Sequence, residues 1–382
     1  MGKKVYFITS FAFPRYDAGA TRITMLARAL LERGHKVELC GMGDDTVFEG
    51  IPCHTLNPYR SNRIFNSISW HLLGMSCVAY AKRIIDKADV VVASFLPSSA
   101  TDRIKALCRD AGVAFAVDCT EWFSPEEFPR GDKDPEYADH VRLLTEVIDS
   151  KVKVIAISSY LERYFAQKGC SVLRVPSVLD YEEFDPTTEC CPQSAVVSIV
   201  YAGSPGAKDS LGVVLDSIGL LTREDLDKLS FDFYGVSEAD LLRYVKSGSA
   251  LPRCVHARGR VPRTEVIMAL ESADFTILMR DPSMRFAQAG MPTKVTESLG
   301  CGTPVIANIT SDLGDYLVDG RNSLLVGDYS SKACAQAVKR AVNLTLDERL
   351  SMRREAFKSM RSGLDYRVYA DVLEDFLFGD EA

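Results

Sequence analysis

The chain has 382 residues, more than one ordinary domain, so two domains of about 150–200 residues are expected. A composition of 47% hydrophobic and 25% charged residues excludes a disordered or fibrous chain. The balance of 45 Lys+Arg against 52 Asp+Glu, a net charge of −7 shared by both halves, argues against a general nucleic-acid binder.

In chain order, the first residues read directly into a buried strand, "KVYFITS" (4–10), without a signal-peptide pattern. The helix that follows carries Ile23, Leu26, Ala27, Leu30 and Leu31 at helical spacing and stops at Gly34. Further strand patterns are 36–41, 89–95, 114–118 and 153–158. Residues 63–85 form the most apolar long stretch. Asn66, Ser67, Ser69, His71 and Ser76 break it too often for a transmembrane helix, leaving a buried helix face or a membrane-surface segment. Ser159 and Glu162 read as a capping box opening another helix. Strands without polar alternation, separated by helices, predict a parallel sheet covered on both faces. Residues 178–195, with two prolines and clustered acids, read as the linker between domains. Strand patterns then resume at 196–204, 231–235, 255–261, 274–279, 303–308 and 323–326. At the end, Val368, Val372, Leu373, Phe376 and Leu377 line one side of an amphipathic helix that needs an apolar partner and could cross back to the first domain.

The expected fold is α/β, with two Rossmann-like doubly wound domains facing across a cleft. The expected boundaries are 1–185, 186–363 and a terminal helix 364–382. The eleven cysteines include no CxxC pair and no Cys/His cluster at zinc-ligand spacing, so a reducing cytosol is expected, and no metal.

Ligands of open α/β sheets bind beyond the carboxyl ends of the strands, which directs attention to the loops there. After the first strand, Gly19 opens a helix whose amides suit a phosphate or sugar oxygen, although an ordinary strand-to-helix turn reads the same way. No GxGxxG is present, which counts against a nicotinamide-dependent oxidoreductase. Asp118, Glu121 and Trp122 end the strand at 114–118, where an acid could orient a hydroxyl or stabilise charge at a reacting carbon. In the second half, Gly203 and Ser204 turn into a helix with Lys208 at its start, where backbone amides plus one lysine make a plausible pyrophosphate grip, the lysine being a cation where the helix dipole disfavours one. Arg280, Arg285 and Lys294 follow another strand and could converge on phosphates.

The stretch "GMPTKVTESLGCGTPVIAN" (290–308) gathers these hints. Pro292 fits the first turn of a helix, phosphate could sit near Lys294, and Glu297, one turn inside, can accept from two vicinal ribose hydroxyls. A surface Lys294–Glu297 pair, worth only a few tenths of a kcal/mol, does not explain the glycine turns and buried strand around it. Together these residues describe a site for a nucleoside diphosphate bearing a sugar.

That stretch, followed by "LVDGRNSLLV", resembles the nucleotide-binding signature of GT-B glycosyltransferases of the GT4 family. "ALLERGHKVEL", "VIAISSYLERYFAQKGCSVLRVPSVLDYEEFDP" and "VYAGSPGAKDSL" resemble other family segments, so the likeness runs the whole chain. It implies a retaining, metal-independent transfer of a hexosyl or N-acetylhexosaminyl group from a UDP- or GDP-linked sugar. The implied acceptor is a glycan or a lipid-linked molecule, with peripheral contact at the inner face of the membrane and a role in surface polysaccharide or glycoconjugate synthesis. Glu297 matches the second glutamate of the family's Glu-x7-Glu motif, which binds ribose. Lys208 matches a basic residue on the pyrophosphate, and Gly19 lies in the loop near the donor phosphates. Two positions depart from the pattern. Ala289 stands where the first glutamate is expected, with Gln288 as its candidate replacement, and Ser204 stands where an arginine is common. In this reading the second domain holds the donor and the first the acceptor. Lys208 and Lys294 stabilise the leaving diphosphate, and Asp118 and Glu121 are the best acids of the first domain. The rival readings are a sugar-nucleotide epimerase and a non-catalytic sugar-nucleotide-binding subunit.

Overall fold

A computed structural model describes residues 2–14, 17–56, 66–184, 196–204, 206, 208–245 and 250–379, with backbone only for 66–72. The chain divides into two compact units, Met1–Val178 with Tyr366–Ala382, and Leu179–Asp365.

The first unit contains strands β1 (Lys4–Phe13), β2 (Lys36–Gly43), β3 (Thr46–Phe48), β4 (Ile51–Thr55), β5 (Val90–Ser94), β6 (Ala114–Cys119), β7 (Lys153–Ala156) and β8 (Val172–Arg174). They form one sheet in the order β3-β4-β2-β1-β5-β6-β7-β8. Every pairing is parallel except the short β3–β4 hairpin. β5 is buried at every position, as a strand covered by helices on both faces must be. β3, β4 and β8 carry no clear apolar run and escape a reading by pattern. Order reverses between β1 and β5, the place where open α/β sheets leave a crevice at their carboxyl ends.

Helix Ala18–Glu32 buries Ile23, Leu26, Ala27 and Leu30 in the core of this unit. The same core takes Tyr366, Ala370, Leu373 and Leu377 from the end of the chain. Glu374 pairs with Arg33 at 2.7 Å and His35 at 2.9 Å, and Tyr366 donates to Glu32 at 2.9 Å. Val368 and Val372, expected on the apolar side, are instead about half exposed. The buried face of the α-helix Ala370–Phe378 runs through Ala370, Leu373 and Leu377, three and four apart, which leaves Val372 about 100° off it, and Val368 lies in the 3-10 turn 366–369 before the helix. Helix Asn66–Ile84 buries Leu73, Cys77, Ala81 and Ile84. Residues 63–65 of the apolar stretch lie outside the described residues, and no described helix is long and apolar enough to cross a membrane. The cap of helix Ser159–Gln167 is Ser158 rather than Ser159, its side chain accepting from Leu161 N at 3.4 Å.

The second unit contains β9 (Val197–Ala202), β10 (Leu229–Tyr234), β11 (Val255–Gly259), β12 (Phe275–Leu278), β13 (Val305–Asn308) and β14 (Ser323–Val326). All are parallel, in the order β11-β10-β9-β12-β13-β14. The reversal falls between β9 and β12, so the loops after these two strands frame the crevice. Leu179–Phe184 packs with this unit, although the expected boundary lay at 185. Phe184 lies against Gly300, where a Cβ would meet its ring at 2.8 Å, so glycine is what lets the two segments close. A buried Arg349–Asp274 pair at 2.5 Å fastens the long helix Leu346–Gly363 to the lower edge of the sheet, where Asp274 also accepts from Ser198 N at 2.9 Å.

Candidate functional site

The loops after β9 and β12 and the helix Thr293–Gly300 bring four groups of the second unit together. Asp209, 3% exposed, stands at the centre. Its Oδ1 accepts from Arg280 Nε at 3.1 Å, and its Oδ2 accepts from Tyr201 Oη at 2.8 Å and from Lys294 Nζ. Lys294 Nζ also donates to Tyr201 Oη at 3.1 Å and lies 4.8 Å from the centre of that ring. Arg280 is held by its own backbone: its N–H donates to Asn308 Oδ1 at 3.0 Å and its carbonyl accepts from Asn308 Nδ2 at 2.8 Å. A residue at the end of β13 therefore locks the cation at the end of β12.

Burial tends to raise the Asp209 carboxyl, yet Lys294 and Arg280, with hydrogen bonds from Lys294 and Tyr201, hold it below the usual carboxylate range. Burial pulls the Lys294 ammonium down, with Asp209 working against that pull. Burial, and then Asp209, push the Tyr201 phenol up, so it stays protonated and donates.

Gly203 has a different task from the one its sequence context suggests. Its N–H donates to Tyr234 O at 3.0 Å in the sheet ladder and is not offered to a ligand. Its missing side chain matters more, because a Cβ there would lie 2.1 Å from Lys294 Cε and 2.4 Å from Nζ. Gly203 is thus the slot through which Lys294 reaches Asp209. Ser204, next in the loop, is exposed.

One turn further along the helix, Glu297 is about a quarter exposed. Burial raises its carboxyl above the ordinary value, opposed by Arg263 and Lys294. Arg263 spans Glu297 at 3.7 Å and Glu183 at 3.5 Å. Pro292 is the cap of this helix rather than its first residue, and it offers no side-chain hydrogen bond to the first turn.

Other expected residues lie elsewhere. The Lys208 ammonium sits 5.9 Å from the centre of the Phe286 ring, and the ion pairs with Asp209 go to Lys294 and Arg280. Arg285 is exposed at the start of the short helix Arg285–Ala289. Gln288 donates its side-chain amide to Pro282 O at 3.0 Å, and Ala289 is fully buried, so a side chain at 289 faces the core. In the first unit, Gly19 is the second residue of its helix, and a Cβ there would strike the Phe11 ring at 2.1 Å. Phe11 in turn stacks on Phe95 at 5.5 Å, across the β1/β5 reversal.

Asp118 must be reassigned. It is buried, paired with Arg22 at 2.8 Å and accepting from Ser94 Oγ at 3.0 Å. Arg22 also donates to the carbonyls of Val175 at 3.0 Å and Pro176 at 2.7 Å. This is a cross-brace between a helix, two strands and a loop, and it takes Asp118 out of the candidate acids. Glu121 is half-buried and remains one; Trp122 is buried edge-on against Tyr164 at 4.5 Å.

Asp209, Tyr201 and Arg263 had no signal in the sequence reading. Asp209 reads as an ordinary helix-start acid beside Lys208, and its cationic partners stand 71 and 85 positions away. Among the described residues no cluster of His, Cys, Asp and Glu could hold a metal ion.

Residues 197–343 match the family model described as glycosyl transferases, group 1. Among solved structures, the chain is similar to sucrose-phosphate synthase (tll1590) from Thermosynechococcus elongatus, at 13% identity over 98% of each chain with a TM-score of 0.76. It is also similar to Anabaena Alr3699/HepE in complex with UDP and glucose, at 13% identity over 98% of this chain and 99% of that one, TM-score 0.71. A third similar structure is WaaG, a glycosyltransferase involved in lipopolysaccharide biosynthesis, at 12% identity over 98% and 100%, TM-score 0.67. No protein of curated function matches the sequence.

Proposed function

We propose that this chain, which has the GT-B fold and a group 1 glycosyl transferase segment at 197–343, moves a sugar from a nucleoside-diphosphate sugar to an acceptor hydroxyl. The observation that carries the reading is the Lys294–Arg280 cation pair beside half-buried Glu297, set at the strand-order reversal of the second unit. Lys294 and Arg280 would face the diphosphate at the start of helix Thr293–Gly300, whose positive dipole end favours an anion. Glu297 would accept from the ribose hydroxyls. Bound UDP in the Anabaena relative supports a uridine nucleotide as the first candidate.

In the reaction, the bond between the anomeric carbon and the diphosphate oxygen breaks while the acceptor oxygen bonds to that carbon. Positive side chains fixed in advance stabilise the charge growing on the leaving diphosphate. Attack from the face the diphosphate leaves would retain configuration, with the departing phosphate taking the hydroxyl proton. No metal is required in this scheme. The first unit would take the acceptor, with Glu121 as its remaining acid. A lipid-linked glycan acceptor and contact with the inner face of the membrane extend the same reading, and binding to anionic vesicles at low salt tests that extension.

A second reading, nucleotide-sugar binding without turnover, draws on one observation. Position 289, where the family places a glutamate toward the donor sugar, faces the core, and Gln288 is tied to Pro282. Thermal unfolding with UDP, GDP, ADP and CMP tests the donor site, because a ligand bound only by the folded state raises the melting temperature. One nucleoside diphosphate should stabilise the wild type and not Glu297→Ala. If none stabilises the wild type, the donor site is refuted. Release of UDP from UDP-sugars with candidate acceptors then separates transfer from binding alone.

A further inference from the structure

We propose that Asp209 is a positioning residue for the diphosphate site, a buried carboxylate that fixes the geometry of Lys294 and Arg280 and supplies their counter-charge; this rests on the donor-site reading above. Asp209 is 3% exposed, against 11% for Arg280 and 28% for Lys294, so the anion lies deeper and the cations lie toward solvent. Both of its oxygens are committed, Oδ1 to Arg280 and Oδ2 to Tyr201 and Lys294. The carboxylate is therefore saturated from within, and it does not compete for a ligand.

Its partners are not saturated. An ammonium has three donors, and Tyr201 and Asp209 take two of those on Lys294. A guanidinium has five, and the bond to Asp209 uses the Nε–H of Arg280. The donors that remain, on side chains that reach toward solvent, are available to an anion. Without Asp209, two neighbouring cations would repel, and both long side chains would have to be ordered by the ligand itself, at a cost in affinity.

The groups facing Lys294 are Tyr201 from β9, Asp209 from the loop after it, Arg280 from the end of β12 and Glu297 from its own helix. Burial and Arg280 both favour loss of the lysine proton, and Asp209 is the main opposing group. Neutralising Asp209 should therefore make nucleotide binding sensitive to pH, because a neutral amine no longer attracts the diphosphate. At the lower end of the range, where Lys294 keeps its proton, removing an anion near the diphosphate offsets the ordering cost, so affinity there should stay near that of the wild type. A purely structural role would lower affinity by one factor at every pH.

The test is calorimetric titration of UDP from pH 7 to 9 into the wild type, Asp209→Asn and the double variant Asp209→Asn/Lys294→Arg, with folding checked by circular dichroism. The affinity of Asp209→Asn relative to wild type should fall about tenfold across this range, the loss of one charge-assisted hydrogen bond. In the double variant the ratio should stay flat, since arginine does not titrate there. A flat ratio in the folded single variant overturns the proposal while leaving the donor site standing. Absence of UDP binding to the wild type removes the donor site and this inference with it. If neither Asn variant folds, nitrogen-15 lysine spectra of the wild type decide. A protected Lys294 ammonium signal at pH 8, identified by its loss in Lys294→Arg, is expected, and its absence overturns the proposal.

Discussion

Replacing Gly203 by alanine places a methyl where the end of Lys294 now lies, 2.1 Å from Cε and 2.4 Å from Nζ. The backbone cannot yield easily, because the Gly203 carbonyl packs against Gly235, whose own Cβ would lie 2.5 Å from it. The lysine must therefore leave its slot. Asp209 keeps Arg280 and Tyr201, so no unpaired buried carboxylate results. The cost is backbone strain at a φ of +154°, about 1–3 kcal/mol, plus about 1 kcal/mol for an ion pair whose lysine regains water. For a unit of this size, a total of about 2–4 kcal/mol lowers the melting temperature by about 5–15 °C. Differential scanning calorimetry reads that shift, and a repeat with UDP reads the site, since the displaced lysine can no longer face the diphosphate. Should Gly203→Ala melt at the wild-type temperature and still gain stability from UDP, Lys294 does not occupy this slot and the reasoning fails.

Four further predictions concern Glu297 and the first unit. Burial raises the Glu297 carboxyl above 4.5, so its ionised form is disfavoured on folding, and the penalty builds as pH rises above the unfolded-state value and is complete above the folded-state value. Glu297→Gln should therefore raise the stability of the ligand-free protein at neutral pH in urea unfolding while weakening UDP binding; equal stability at pH 7 would refute this. In the wild type, UDP affinity should begin to fall at a pH above the ordinary glutamate range on acidification, a step absent from the Gln variant. Arg22→Ala should cost about 3–5 kcal/mol in urea unfolding by stranding buried Asp118, and Arg22→Ala/Asp118→Ala should recover part of that loss. Leu373→Ala should cost about 2–5 kcal/mol through a cavity in the first unit, seen as earlier urea unfolding of that unit with UDP binding intact.

The sheet strands were legible because buried parallel strands leave continuous apolar runs, and β5, β9 and β13 are of that kind. β3, β4 and β8 were not, since strands of three to five residues at or next to the sheet edges bury too little to leave a pattern. Within the site, Lys294 and Glu297 could be singled out because a charge pair is conspicuous in a small, apolar helix. Asp209 could not, because its meaning comes from Tyr201, Arg280 and Lys294, which only the sheet order brings together. Asp118 misled for the converse reason. A strand-end acid looks available until Arg22, 96 positions earlier, is seen to cover it. Gly203 was noticed for the wrong chemistry: its backbone suggested an anion, whereas the space beside its Cα is what the site uses.

The return of Tyr366–Gly379 to the first unit has a consequence for synthesis. A ribosome delivers residues in order, so the apolar face formed by Leu26, Ala27 and Leu30 must wait for Leu373 and Leu377 until the whole of Leu179–Asp365 has been made. At about 5–20 residues per second that delay is roughly 10–40 s. During it, the nascent first unit has an open seam that chaperones can read, and at its end the second unit has every residue it needs while the first still waits. A message cut short after residue 365 would thus yield a finished second unit attached to a first that cannot close.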